Sequence, residues 1–217
     1  MNNNIKNIDI AFFVALVASF ISCTSDVLLL YVPGENYFNG EYTFYRKLCP
    51  TLMIMGHYLG IVFIPLQSLA VPWISKRLKI KNTFEQLTIL ILLIYTIIMG
   101  CVYHSSCALM GLGLTEQLDN EKTISLYNSL FMPPAMAFIV GIALVSAYLS
   151  LKIFYGKSDF NKYLSIITPI NIAIIIYAID YFTSFEMGWA TVSAFNLSIL
   201  IFLISAWLLD KKGRVVE

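Results

Sequence analysis

Two carboxylates and two imidazoles, Asp26, His57, His104 and Asp180, lie inside apolar stretches of this 217-residue chain. Isolated charge is costly in hydrocarbon, so ionisable side chains in such stretches mark functional sites by default. Three uses are open to this set. A carboxylate beside an imidazole makes a general acid–base pair, and all four residues are candidates for that catalytic role. Two imidazoles and two carboxylates also form an admissible zinc site, since zinc accepts N and O donors and activates bound water. Spacing lends zinc no support: the four come from separate helices, and the chain has no His-x-x-x-His or Cys-x-x-Cys pair. The third use involves no ligand, only His–Asp hydrogen bonds that hold helices together, each worth about 0.6–2 kcal/mol.

The stretches that carry these residues are themselves informative. Of all residues 59% are hydrophobic and 12% charged, and the mean hydropathy is +0.77. A helix needs roughly 20 mostly apolar residues to cross a hydrocarbon core, and six stretches qualify. They are residues 10–32, 51–74, 86–112, 126–154, 163–182 and 190–209. The expected fold is all-α, a single polytopic transmembrane bundle over residues 1–217, because connections this short hold no soluble domain. Membrane lipids are then the first partners, and nucleic acid is not one. Other chemistry is excluded by what the chain lacks. No lysine lies in a hydrophobic core for a retinal-type Schiff base, and no phosphate-binding glycine loop or Gly-x-Ser-x-Gly elbow occurs. Neither an internal repeat nor a midplane charge points to a transporter or channel.

Positive charge orients the bundle. With the amino terminus inside, the inner segments hold Lys6, Lys76, Arg77, Lys79, Lys81, Lys152, Lys157, Lys162, Lys211, Lys212 and Arg214; the outer side keeps Arg46, Lys47 and Lys122. Both termini are therefore expected in the cytoplasm. Asp26 then lies about five residues, roughly 8 Å, below the outer surface, and His57 lies about 9 Å below it. His104 and Asp180 approach the same level from helices three and five. The four ionisable groups are expected to form one outer-leaflet pocket, with Tyr103, Asn128, Tyr177, Asn196, Glu186 and Trp189 as further ligand-binding groups. Gly56-x-x-x-Gly60 and the small residues around His104 should let the helices approach closely.

Prolines and cysteines give smaller expectations. Met132-Pro133-Pro134 should make helix four regular only from Pro134, leaving 127–132 as a bent lip, while Pro65, Pro72 and Pro169 should kink helices two and five. The aromatic segment from Pro33 to Lys47 reads as an interfacial belt, with a lid over the cluster as the functional alternative. Cys49 and Cys107 suit either a disulfide or two free thiols, the latter preferred. Phe20-Ile21-Ser22-Cys23 faintly resembles a lipoprotein cleavage box, but apolar Val27 to Val32 continues past it, so helix one is expected to remain.

Asp26-Val27-Leu28-Leu29-Leu30-Tyr31-Val32-Pro33-Gly34, Gly60-Ile61-Val62-Phe63-Ile64-Pro65-Leu66 and His104 together resemble the pattern of an uncharacterised family of small bacterial six-helix membrane proteins. The resemblance covers most of the chain, implies the six-helix architecture and draws attention to Asp26 and His104. It implies no substrate. The expected function is a polar outer-leaflet pocket that binds or hydrolytically modifies a lipid or amphipathic small molecule. The alternative is a structural or partner-binding subunit whose polar cluster only stabilises helix packing.

Overall fold

A computed structural model describes residues 3–34, 43–115, 120–156, 158–183 and 188–210. Among these residues the chain is all-α and has no strand. Its helices are α1 (Asn3–Leu30), α2 (Pro50–Leu66), α3 (Val71–Leu78), α4 (Thr83–Thr115), α5 (Asn120–Tyr155), α6 (Pro169–Phe182), α7 (Gly188–Val192) and α8 (Ala194–Leu208). Four stretches are long and apolar enough to cross a membrane: Asp9–Leu30, Pro50–Leu78, Thr83–Leu114 and Ser129–Tyr155. By contrast α6 and α8 are 14 and 15 residues long. At 1.5 Å per residue each covers only about 21–23 Å.

Proline chemistry explains where these elements break. Pro72 has no N–H for the carbonyl of Ser68, which instead accepts from the N–H of Val71, tightening 67–70 into a 3-10 turn between α2 and α3. Pro65, inside α2, precedes that turn. Pro169 does not kink a helix as expected; it starts one. Thr168 before it is extended (φ −103°, ψ 157°), the conformation a following proline ring enforces. The bent lip at Pro133-Pro134 is likewise absent, and α5 runs through both prolines. Their fixed φ is itself helical, so the helix continues at the cost of two N–H donors and of ring crowding against the preceding turn.

α1 is the hub, packing against α2, α3, α7 and α8, while α4 pairs with α2 and α5. Gly56 makes the first of these contacts: a Cβ there would stand 2.6 Å from the Ser25 carbonyl oxygen and 2.8 Å from the Leu29 nitrogen. Two apolar cores result. One surrounds Trp73, which meets the rings of Phe12 and Phe160 at 4.2 and 5.7 Å. Ion pairs close that end, Arg77 with Asp210 at 2.8 Å and Lys79 with Asp159 at 2.6 Å. The other core surrounds Tyr45, 2% exposed, which a 3-10 turn at Thr43–Lys47 drives between Leu29, Met53 and Met110. Gly111 leaves the space for its ring, since a Cβ there would lie 2.9 Å from Tyr45 Cδ1.

Candidate functional site

Between the two cores lies a polar chain that joins α1, α2, α4 and α8. Asp26 is the acceptor at its centre. His104 Nδ1 stands 3.1 Å from Asp26 Oδ1, and Asn196 Nδ2 donates to Asp26 Oδ2 at 2.7 Å. Gln67 Nε2 donates to Asn196 Oδ1 at 2.7 Å, and His104 Nε2 faces the Gly56 carbonyl at 3.2 Å. All four residues are at most 9% exposed. Local features place them: the Pro65–Pro72 turn brings Gln67 inward, and a non-helical Ser193 (φ −101°, ψ 11°) lets α8 start at Ala194, two residues before Asn196. Gly60 is the clearest case, because a Cβ there would overlap the His104 ring.

Both His104 nitrogens therefore face oxygen acceptors. One arrangement satisfies this with an imidazolium beside a carboxylate; the other puts the proton on Asp26 and leaves a neutral imidazole that donates through Nε2. Either way the pair is neutral as a whole, which is what a low-dielectric interior favours. His57 lies alongside, its ring 6.3 Å from that of His104 and nearly parallel at 8°. Its Nδ1 is buried and has no hydrogen-bond partner among the described residues.

The expected four-residue cluster is thus only partly assembled. Asp26 and His104 meet, His57 flanks them, and Asp180 is engaged elsewhere, accepting from Thr191 of α7 at 2.5 Å. Zinc does not fit these positions, because neither nitrogen of His104 is free and Asp180 is turned to Thr191. Among the described residues no group of three His, Cys, Asp or Glu side chains could hold a metal. Cys49 and Cys107 are free thiols, one exposed and one buried.

An apolar cavity of about 150 Å³ runs from this polar chain along α4, which lines it at Leu93, Ile97, Gly100, Tyr103, His104 and Cys107. Leu93 to Cys107 spans about 21 Å of helix, so the cavity is a narrow slot. Aromatic rings form one wall: Tyr103 stacks on Phe138 at 6.1 Å, Phe138 meets Phe195 edge-on at 5.0 Å, and Tyr177 meets Phe195 at 6.0 Å. Beyond Cys107 the Tyr45 core fills the bundle. The slot extends from the edge of the Tyr45 core, at Leu30 and Cys107, toward the Trp73 core.

Of the further ligand-binding candidates, Tyr103, Tyr177 and Asn196 line the slot. Trp189 is 49% exposed and is not part of its wall. Glu186 and the side chain of Asn128 lie outside the described residues. Sequence reasoning missed Gln67 as a site residue because an uncharged amide carries little hydropathy signal; its place between two prolines was the available clue. The Gly56 carbonyl has no side-chain signal at all.

No curated protein and no solved structure matches this chain. A match over residues 1–212 does exist at the level of family, and the chain belongs to the family of unknown function DUF6796.

Proposed function

We propose that this protein is a multi-pass membrane protein, six times across the bilayer with both termini cytoplasmic, that binds a lipid or lipid-like amphipath within the bundle. The observation that carries this reading is the apolar slot ending on Asp26, His104, Asn196 and Gln67. Ligand sites pair an apolar lining with a few placed polar groups, and this cavity has that composition. In this reading α6 and α8 cross at sites where the bilayer thins or where flanking residues extend the crossing. The amphipath enters from the bilayer or the cytoplasmic half, because the Tyr45 core fills the opposite end. Binding is favoured over hydrolysis, since His104 has no nitrogen left to act as a base and His57 does not line the slot.

The test is lipid mass spectrometry on the full chain purified in a mild detergent. Wild type should retain a stoichiometric amphipath, and Ile97→Trp, which fills the slot from α4, should lose it while remaining folded. Equal lipid content in both proteins would reject the reading. The structural alternative draws on a specific observation too, because each network donor already has an acceptor within the protein. Under that alternative Asp26→Asn and His104→Ala lower thermal stability and leave the lipid content unchanged.

A further inference from the structure

The polar chain admits one assignment of its amides, and that assignment selects a ligand. Asp26 Oδ2 is an acceptor, so Asn196 must turn its NH₂ group toward it and its Oδ1 toward Gln67. Gln67 must then donate through Nε2, which turns its Oε1 away from the chain. Gln67 lines the slot, and its Oε1 makes no hydrogen bond among the described residues. The network thus presents an unused acceptor at the cavity wall. Charge sets a second condition. Asp26 and His104 are the only Asp, Glu, Lys, Arg or His side chains in the wall among the described residues, and together they are neutral. An anionic head group would be desolvated with no cation to meet it. Shape sets a third, for about 150 Å³ is the size of cavity that takes one benzene-sized guest and leaves no room for two chains side by side.

The geometry points to a single-chain neutral amphipath with a hydroxyl head, an alcohol whose O–H donates to Gln67 Oε1 while the first methylenes of its chain lie along α4 against the wall of Phe138 and Phe195. This assignment rests on the proposed lipid-binding reading and narrows it to a head-group class. Fatty acids and two-chain phospholipids fail the charge or the width condition.

Photoactivatable probes of equal chain length test it: a diazirine fatty alcohol, the corresponding fatty acid at a pH where it is ionised, and a diazirine phosphatidylglycerol. Each is applied to full-length protein in neutral detergent, and labelled peptides are mapped. The alcohol should label α4 and α8 around Ile97 and Phe195 at least about tenfold more readily than the acid, one hydrogen bond of about 1.4 kcal/mol supplying tenfold and the desolvation of the acid's charge adding to it. Gln67→Met, which keeps the side-chain length, should raise the alcohol concentration needed for labelling about tenfold and leave labelling by the acid unchanged. Equal or stronger labelling by the acid or the phospholipid in wild type would overturn the head-group assignment and leave the lipid-binding reading standing. Failure of every probe to label the slot would overturn both. The wild-type comparison does not depend on any variant folding.

Discussion

His104 of α4 is held by α1 and α2 at once: its Nδ1 lies 3.1 Å from Asp26 Oδ1, and its Nε2 lies 3.2 Å from the carbonyl oxygen of Gly56. A single ring therefore sets the spacing of three helices. Removing one member of a buried pair leaves the other uncompensated, at a cost of about 3–5 kcal/mol. Asp26→Asn and His104→Ala should each lower the unfolding free energy measured by denaturant titration in detergent. The double variant should lose less than the sum of the two, with a coupling of about 1–2 kcal/mol. Strict additivity would mean that the two side chains do not interact.

Gly60 gives a second test of the same geometry, because the added methyl of Gly60→Ala falls on the His104 ring. Alanine favours helix over glycine by about 1 kcal/mol, so a neutral site would be stabilised. Here the substitution should destabilise by about 1–3 kcal/mol. In a His104→Ala background the clash has no partner, and Gly60→Ala should become neutral or stabilising. Persistence of the loss in that background would place its cause elsewhere.

Tyr45 plugs the end of the bundle opposite Trp73 and, with Tyr103, reaches the Cys107 thiol. Truncating a buried aromatic to alanine costs about 3–5 kcal/mol. Tyr45→Ala should therefore lower the melting temperature and also expose Cys107 to a small maleimide in the folded protein. A fall in stability with Cys107 still protected would show that the plug does not close the slot.

Cys49 reports on topology. It occupies the N-cap position of α2, is exposed, and has its thiol pKa held below the ordinary value by the nearby backbone N–H groups of Leu52 and Thr51. A lowered pKa raises the thiolate fraction at any given pH below the ordinary value, and the thiolate is the reacting form. In intact cells a membrane-impermeant maleimide should modify Cys49, with the rate still substantial at a pH where an unperturbed thiol has largely stopped reacting. Modification only after the membrane is breached would reverse the proposed orientation.

The helical stretches were legible in the chain, because hydrophobic runs of this length and the scarcity of charge leave little choice of secondary structure. Asp26 and His104 were legible for the same reason, each being an ionisable residue in an apolar run. Proline effects were harder to read. Whether a proline kinks a helix, starts one or is carried through depends on which carbonyl loses its donor and what replaces it, and Pro72, Pro169 and Pro133 gave three different answers.

The sequence alone determined the helical class and the set of ionisable residues in apolar runs, Asp26, His57, His104 and Asp180, since both follow from the distribution of apolar and polar residues along the chain. Partnership was decided only by the tertiary structure. Asp180, equal to Asp26 by every one-dimensional criterion, is drawn to Thr191 by the position of α7, whereas Gln67 and the Gly56 carbonyl are brought to the site by a 3-10 turn and a glycine contact. Hydrogen bonds need oxygen and nitrogen within about 3 Å in the right direction. Depth along a helix supplies one coordinate of that requirement, and the packing of the other helices supplies the remaining two.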